Sequence, residues 1–187
     1  MEMKPLTAEL DDIRRRAEAL ISGVDAGQLT QRPDPAKWSI AECLAHLNVS
    51  ANVVQPMIAK AIDRGKKDKV LGTGPFSLGF RGRLLIWIAT PPPKFRIRAP
   101  KSVAPPVTIA NPTQLFPEFL KLQDEWLRLW NDAEGLDMAR INIARHLSPF
   151  HCHLSAVFPW MMAHQRRHLL QAEKVKAQLG AQTAAAH

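Results

Sequence analysis

The sequence predicts an all-α chain whose helices pack as a bundle, and three observations carry that prediction. Apolar residues recur at spacings of three and four along several segments of the 187-residue chain, the signature of helices with one buried face. A capping box, Ser39 followed by Glu42, marks a helix start. Near the C-terminus, positions 157, 160, 161, 164, 168, 171 and 175 form one stripe that places two histidines on the same face as Val157, Trp160, Met161 and Val175. That face points into the interior.

The first helix is expected over residues 7–23. Thr7 serves as N-cap, acidic Glu9, Asp11 and Asp12 lie in or near the first turn, and Leu10, Ile13, Ala17, Leu20 and Ile21 keep helical spacing up to Gly23. The second, over 39–64, starts at the capping box, with Trp38 and Cys43 placed as a hydrophobic staple and Pro56 expected to kink it. Glu42 is therefore read as a capping residue in preference to a catalytic acid. The third, over 112–133, has Pro112 in its first turn and Leu115, Phe119, Leu122, Trp126, Leu129 and Trp130 on one side. Those aromatics read as core and pocket wall. The fourth, over 155–179, contains Pro159 early and meets Gly180 as a stop, leaving 181–187 as a tail.

Residues 65–111 form a long, proline-rich connection between helices two and three, with Pro75, Pro91 to Pro93, Pro100, Pro105 and Pro106 forbidding one long helix. Within it, Arg81-Gly-Arg-Leu-Leu-Ile-Trp-Ile-Ala89 is an apolar run with basic flanks. It reads as a short helix capping the mouth of the bundle, as a dimer contact, or as a membrane-surface element.

A chain of this length buries one core, so residues 1–187 are expected to form a single domain. Cys43 and Cys152 are too few for a disulfide framework and suit a reducing, cytoplasmic setting. No apolar run has the length of a membrane span, and the N-terminus lacks a signal-peptide pattern. The formal charge of +8 would attract an anionic small molecule or nucleic acid. No nucleic-acid-binding signature accompanies it, so nucleic acid is the less favoured partner. Arg14 to Arg16 read as a solvated face, and Arg166 and Arg167 as pointing away from the histidines beside them.

The chemistry resides in histidines. His164 and His168 are four apart, so both rings can turn toward one ion from one helix face, and a third ring from another helix, with His46 as the candidate, would complete the set. Three neutral imidazoles with positions left open are a donor set for a catalytic divalent ion, nickel or zinc first, iron or manganese next. Gln171, three residues after His168, is placed to orient a ring or a substrate, and Cys43 is either a soft fourth ligand or, by preference, a buried structural thiol. His146, His151 and His153 are set aside as poor candidates.

Trp38-Ser39-Ile40-Ala41-Glu42 leading to His46, together with His164-x-x-x-His168-x-x-Gln171, resembles the DinB-like superfamily, in the branch whose fourth helix carries the ending His-x-x-x-His-x-x-Gln. The approach through Ser148-Pro149-Phe150 is similar as well, whereas residues 65–112 match poorly. The resemblance implies a four-helix bundle with a metal held by one histidine of helix two and two of helix four, here His46, His164 and His168. Members of that family include low-molecular-weight thiol transferases and a mycothiol-dependent isomerase. The implied activity is thus a metal-dependent thiol S-transferase or a related hydrolase acting on a small, anionic substrate. The other reading is a helix-bundle binding or stress-response module whose metal is structural or absent. A homodimer is compatible with either.

Overall fold

The computed structural model describes residues 6–93, 99–106, 108–143 and 152–185. The described residues form six α-helices and no strands: α1 (Leu6–Ile21), α2 (Ala26–Thr30), α3 (Ile40–Lys67), α4 (Gly79–Ala89), α5 (Leu115–Asp132) and α6 (Leu154–Ala185). A single 3-10 turn, Pro112–Gln114, leads into α5. Two isolated antiparallel bridges, Leu71 to Leu136 and Asn142 to His153, clasp segments outside the helices.

The four long helices follow the apolar spacing. α3 packs on α5 and α6, and α1 packs on the same two helices from the other side, so the four close a cycle. Leu10, Ile13, Ala17 and Leu20 of α1 are buried there with Ile40, Leu44, Ile58 and Ile62 of α3. Trp126 and Trp130 of α5 meet Phe158 of α6 edge-on, at ring-centroid distances of 6.4 and 5.1 Å. Such aromatic contacts contribute about 0.5–1.5 kcal/mol beyond their buried area.

The start of α3 is built as the sequence indicates. Ser39 Oγ accepts from the Glu42 N–H at 3.1 Å, and Glu42 Oε2 accepts from the Ser39 N–H at 2.8 Å. The helix continues through Pro56 and ends at Lys67. In α5, Pro117 lies in the first turn, where a missing N–H costs no ladder bond.

Several expectations are corrected. Gly180 does not stop α6, which runs on to Ala185. A glycine stop needs a left-handed backbone, which Gly180 does not adopt, and the following Ala181, Gln182, Ala184 and Ala185 favour helix. α2 was not anticipated, although its capping box, Asp25 with Gln28, was present in the sequence. The connection over 65–111, expected to be irregular apart from a short helix near 81–89, contains that helix as α4, packed on α6. Arg14 and Arg16 do more than face solvent. Arg14 pairs with Asp124 of α5 at 2.6 Å, and Arg16 forks onto Glu173 of α6 with both bonds at 2.9 Å.

No helix among the described residues is long and apolar enough to cross a membrane.

Candidate metal centre

α3 and α6 bring His46, His164 and His168 together, each with one ring nitrogen within 4.8 Å of the others'. His46 Nε2 and His164 Nε2 are 3.1 Å apart. Ring centroids lie at 5.1 Å for His46 and His164, 4.4 Å for His46 and His168, and 4.7 Å for His164 and His168. Nitrogens about 2.1 Å from one ion stand roughly 3.0–3.4 Å apart at octahedral or tetrahedral angles. His46 and His164 already have that spacing, and the ligand atom of His168 lies within 4.8 Å of both.

Two of the three tautomers are set from outside the cluster. His46 Nδ1 lies 2.6 Å from the Val103 carbonyl. A carbonyl only accepts, so Nδ1 carries the proton and Nε2 keeps its lone pair. His168 Nδ1 donates to Gln171 Oε1 at 3.1 Å, which leaves Nε2 of that ring as the donor atom for an ion. His164 Nδ1 is buried without a hydrogen-bond partner.

All three rings are held neutral. Burial lowers the His46 pKa against the pull of the Val103 carbonyl. His164 falls well below the ordinary histidine value through burial and through the neighbouring charges of His168, His46 and Arg167. His168 is pushed down to about 3, by burial first and then by His46. Without an ion, the lone pair on His46 Nε2 accepts from the His164 Nε2–H at 3.1 Å, and a divalent ion would take the place of that proton with three nitrogens facing it. The donor set therefore fits a divalent ion of the zinc or nickel type.

One wall of the site is Trp38. Its ring lies 5.7 Å from that of His168 in stacked geometry and 5.1 Å from that of His46. The sequence assigned Trp38 to the staple of α3, and its place beside two imidazoles was missed. Arg32 was missed as well: it pairs through Nε and Nη2 with Glu42, which anchors the turn carrying Trp38. The Val103 contribution had no sequence signal, because a backbone carbonyl is common to every residue.

The remaining candidates fall outside the cluster. Cys43 is buried and is not part of it, and its thiol pKa is pushed up by burial and by Glu42. Glu42 is occupied with Ser39 and Arg32. His153 sits at the bridge to Asn142 instead, and His146 and His151 lie outside the described residues. Arg166 pairs with Glu9, while Arg167 Nη1 donates to the Ile88 carbonyl of α4 at 2.9 Å. Among the described residues no other group of three or more His, Cys, Asp or Glu side chains converges in this way.

Comparison with curated proteins finds no match, and comparison with solved structures finds none. A family model described as the DinB superfamily matches residues 9–172, which takes in the capped start of α3 and all three histidines. The chain belongs to the DinB superfamily.

Proposed function

We propose that the protein is a metal-dependent enzyme in which His46, His164 and His168 hold one divalent ion, nickel or zinc, and that it transfers a low-molecular-weight thiol or hydrolyses a related substrate. The observation that carries this reading is the openness of the cluster: three neutral imidazoles converge, and no Cys, Asp or Glu of the described residues joins them. Structural zinc sites are closed by a fourth protein ligand, whereas catalytic sites leave positions for water or substrate. When bound, a divalent ion supplies Lewis acidity, lowering the pKa of a thiol or water and polarising a carbonyl.

The residues themselves have defined work in this reading. Val103 and Gln171 hold two rings in the tautomer that presents Nε2. Trp38 covers one side of the imidazoles, excluding water there and offering an apolar surface to the substrate's carbon chain. Arg167, close enough to depress His164 and His168, adds positive potential that favours an anionic substrate. The same reading takes α1, α3, α5 and α6 as the four-helix bundle of one domain, acting in the cytoplasm.

Cobalt substitution tests it. The Co(II) protein should show visible bands typical of low coordination number, and adding a small anionic thiol should produce a sulfur-to-cobalt charge-transfer band. Bands indifferent to every thiol and to hydrolysable substrates, in a protein that loses thermal stability on chelation, would favour a structural ion in a binding or stress-response module.

A further inference from the structure

The basic character of the chain is concentrated in one stretch. Residues 69–117 contain seven lysines and arginines and no aspartate or glutamate, while the rest has eighteen basic against seventeen acidic residues. Helix α4 lies inside that stretch. It docks on α6 through Gly82, Leu85 and Ala89, all buried. At Gly82 a Cβ would stand 2.5 Å from Ala156 Cβ, so this face is seated as closely as backbone permits. Ser155 Oγ donating to the Ser77 carbonyl at 2.9 Å, and Arg167 to Ile88, fix the two ends.

With that face committed, the 3.6-residue period turns Phe80, Leu84 and Trp87 to the opposite side. Phe80 is 81% exposed and Trp87 49% exposed, and with Leu71 they are the exposed large apolar side chains among the described residues. Arg81 and Arg83, both exposed, flank the ridge on either side. Helix α4 is thus apolar on two faces: one is buried in the fold and the other faces outward, between cations.

We propose that the outward face of α4 is a docking surface for an anionic lipid bilayer. Phe80, Leu84 and Trp87 enter the boundary between headgroups and acyl chains, while Arg81 and Arg83 meet lipid phosphates and carboxylates. The alternatives fit less well. A symmetric contact with a second copy would set this exclusively basic stretch against itself. A nucleic acid would reward the arginines but give an aliphatic and aromatic ridge nothing along a phosphate backbone. The proposal is independent of the metal reading, because none of His46, His164, His168 and Trp38 belongs to α4.

The test is co-sedimentation of the full chain with phosphatidylcholine vesicles that contain or lack about 30% phosphatidylserine. The protein is expected to bind the anionic vesicles at least about thirtyfold more tightly than the neutral ones. Phe80→Ser with Trp87→Ser should bring binding to background, and Arg81→Gln with Arg83→Gln should weaken it on the order of thirtyfold. Trp87→Phe should still bind but lose part of the fluorescence quenching by brominated lipid, reporting the depth of that ring. Far-UV circular dichroism and metal content serve as checks that each variant is folded. Three results would overturn the proposal: no binding to anionic vesicles, binding that survives the double serine variant, or equal, salt-sensitive binding to a DNA duplex.

Discussion

Glu42 is predicted to be worth far more to stability than a surface carboxylate, and the reason can be counted. Its side chain is 9% exposed, and it accepts from the buried Ser39 N–H at 2.8 Å and from Arg32 Nε at 2.9 Å. In Glu42→Ala the Ser39 N–H is left buried without its acceptor, at a cost of about 1–3 kcal/mol. One methylene loses its packing, about 0.8 kcal/mol. Arg32, whose side chain is 47% exposed, returns to water, so the lost ion pair adds no more than about 1 kcal/mol. The sum is a loss of roughly 3 kcal/mol. Glu42→Gln keeps the acceptor and the volume and loses only the charge, so it should cost about 0.5–1 kcal/mol. The difference has a pH signature. Burial alone would raise the Glu42 pKa, but Arg32 and the Ser39 N–H together outweigh it and hold the carboxyl below its ordinary value. The unfolded chain therefore takes up this proton first as pH falls. The advantage of wild type over Glu42→Gln is fully present above the ordinary carboxylate pKa and disappears as pH falls through the lowered one. Urea unfolding of the metal-free proteins across the acid range measures both quantities. A cost below about 0.5 kcal/mol for Glu42→Ala, or a wild-type advantage that persists unchanged in acid, would refute the reasoning.

Gln171→Leu removes the acceptor that orients His168 and should weaken metal binding about 10–100-fold while leaving the fold intact, as read by competition with a chromophoric chelator. Gly82→Val would push α4 off Ala156 and should cost about 1–3 kcal/mol in a chemical unfolding titration. Both cysteines should resist a thiol reagent in the native protein, since burial pushes the Cys152 thiol up to about 11 and Cys43 higher still. Modification should then proceed only at the rate of unfolding, and immediate labelling of either would contradict the structure.

What was legible in the sequence was the local part. The capping box at Ser39, the histidines four apart and Gln171 three further on are short-range patterns, and helix geometry turns each directly into a spatial relation. His46 was legible only through its motif, because nothing in spacing alone says that α3 and α6 lie side by side. Val103 shows the limit: its carbonyl crosses 57 residues of chain to reach His46, and any residue could have supplied it. Trp38 was visible but assigned to one role, since a staple residue at a helix start carries no mark that its ring also stacks on an imidazole of another helix. Gly180 failed as a stop for a physical reason: glycine permits a left-handed turn but does not compel it, and an alanine-rich continuation decides otherwise.

The central claim is that three histidines hold one ion, and elemental analysis of the protein purified without a metal-affinity tag tests it most directly, beside His46→Ala, His164→Ala and His168→Ala. The account predicts about one divalent ion per chain in the wild type and its loss in each variant, with the fold retained. A wild type that takes up no ion after soaking with nickel or zinc, or three variants that keep it, would contradict the account.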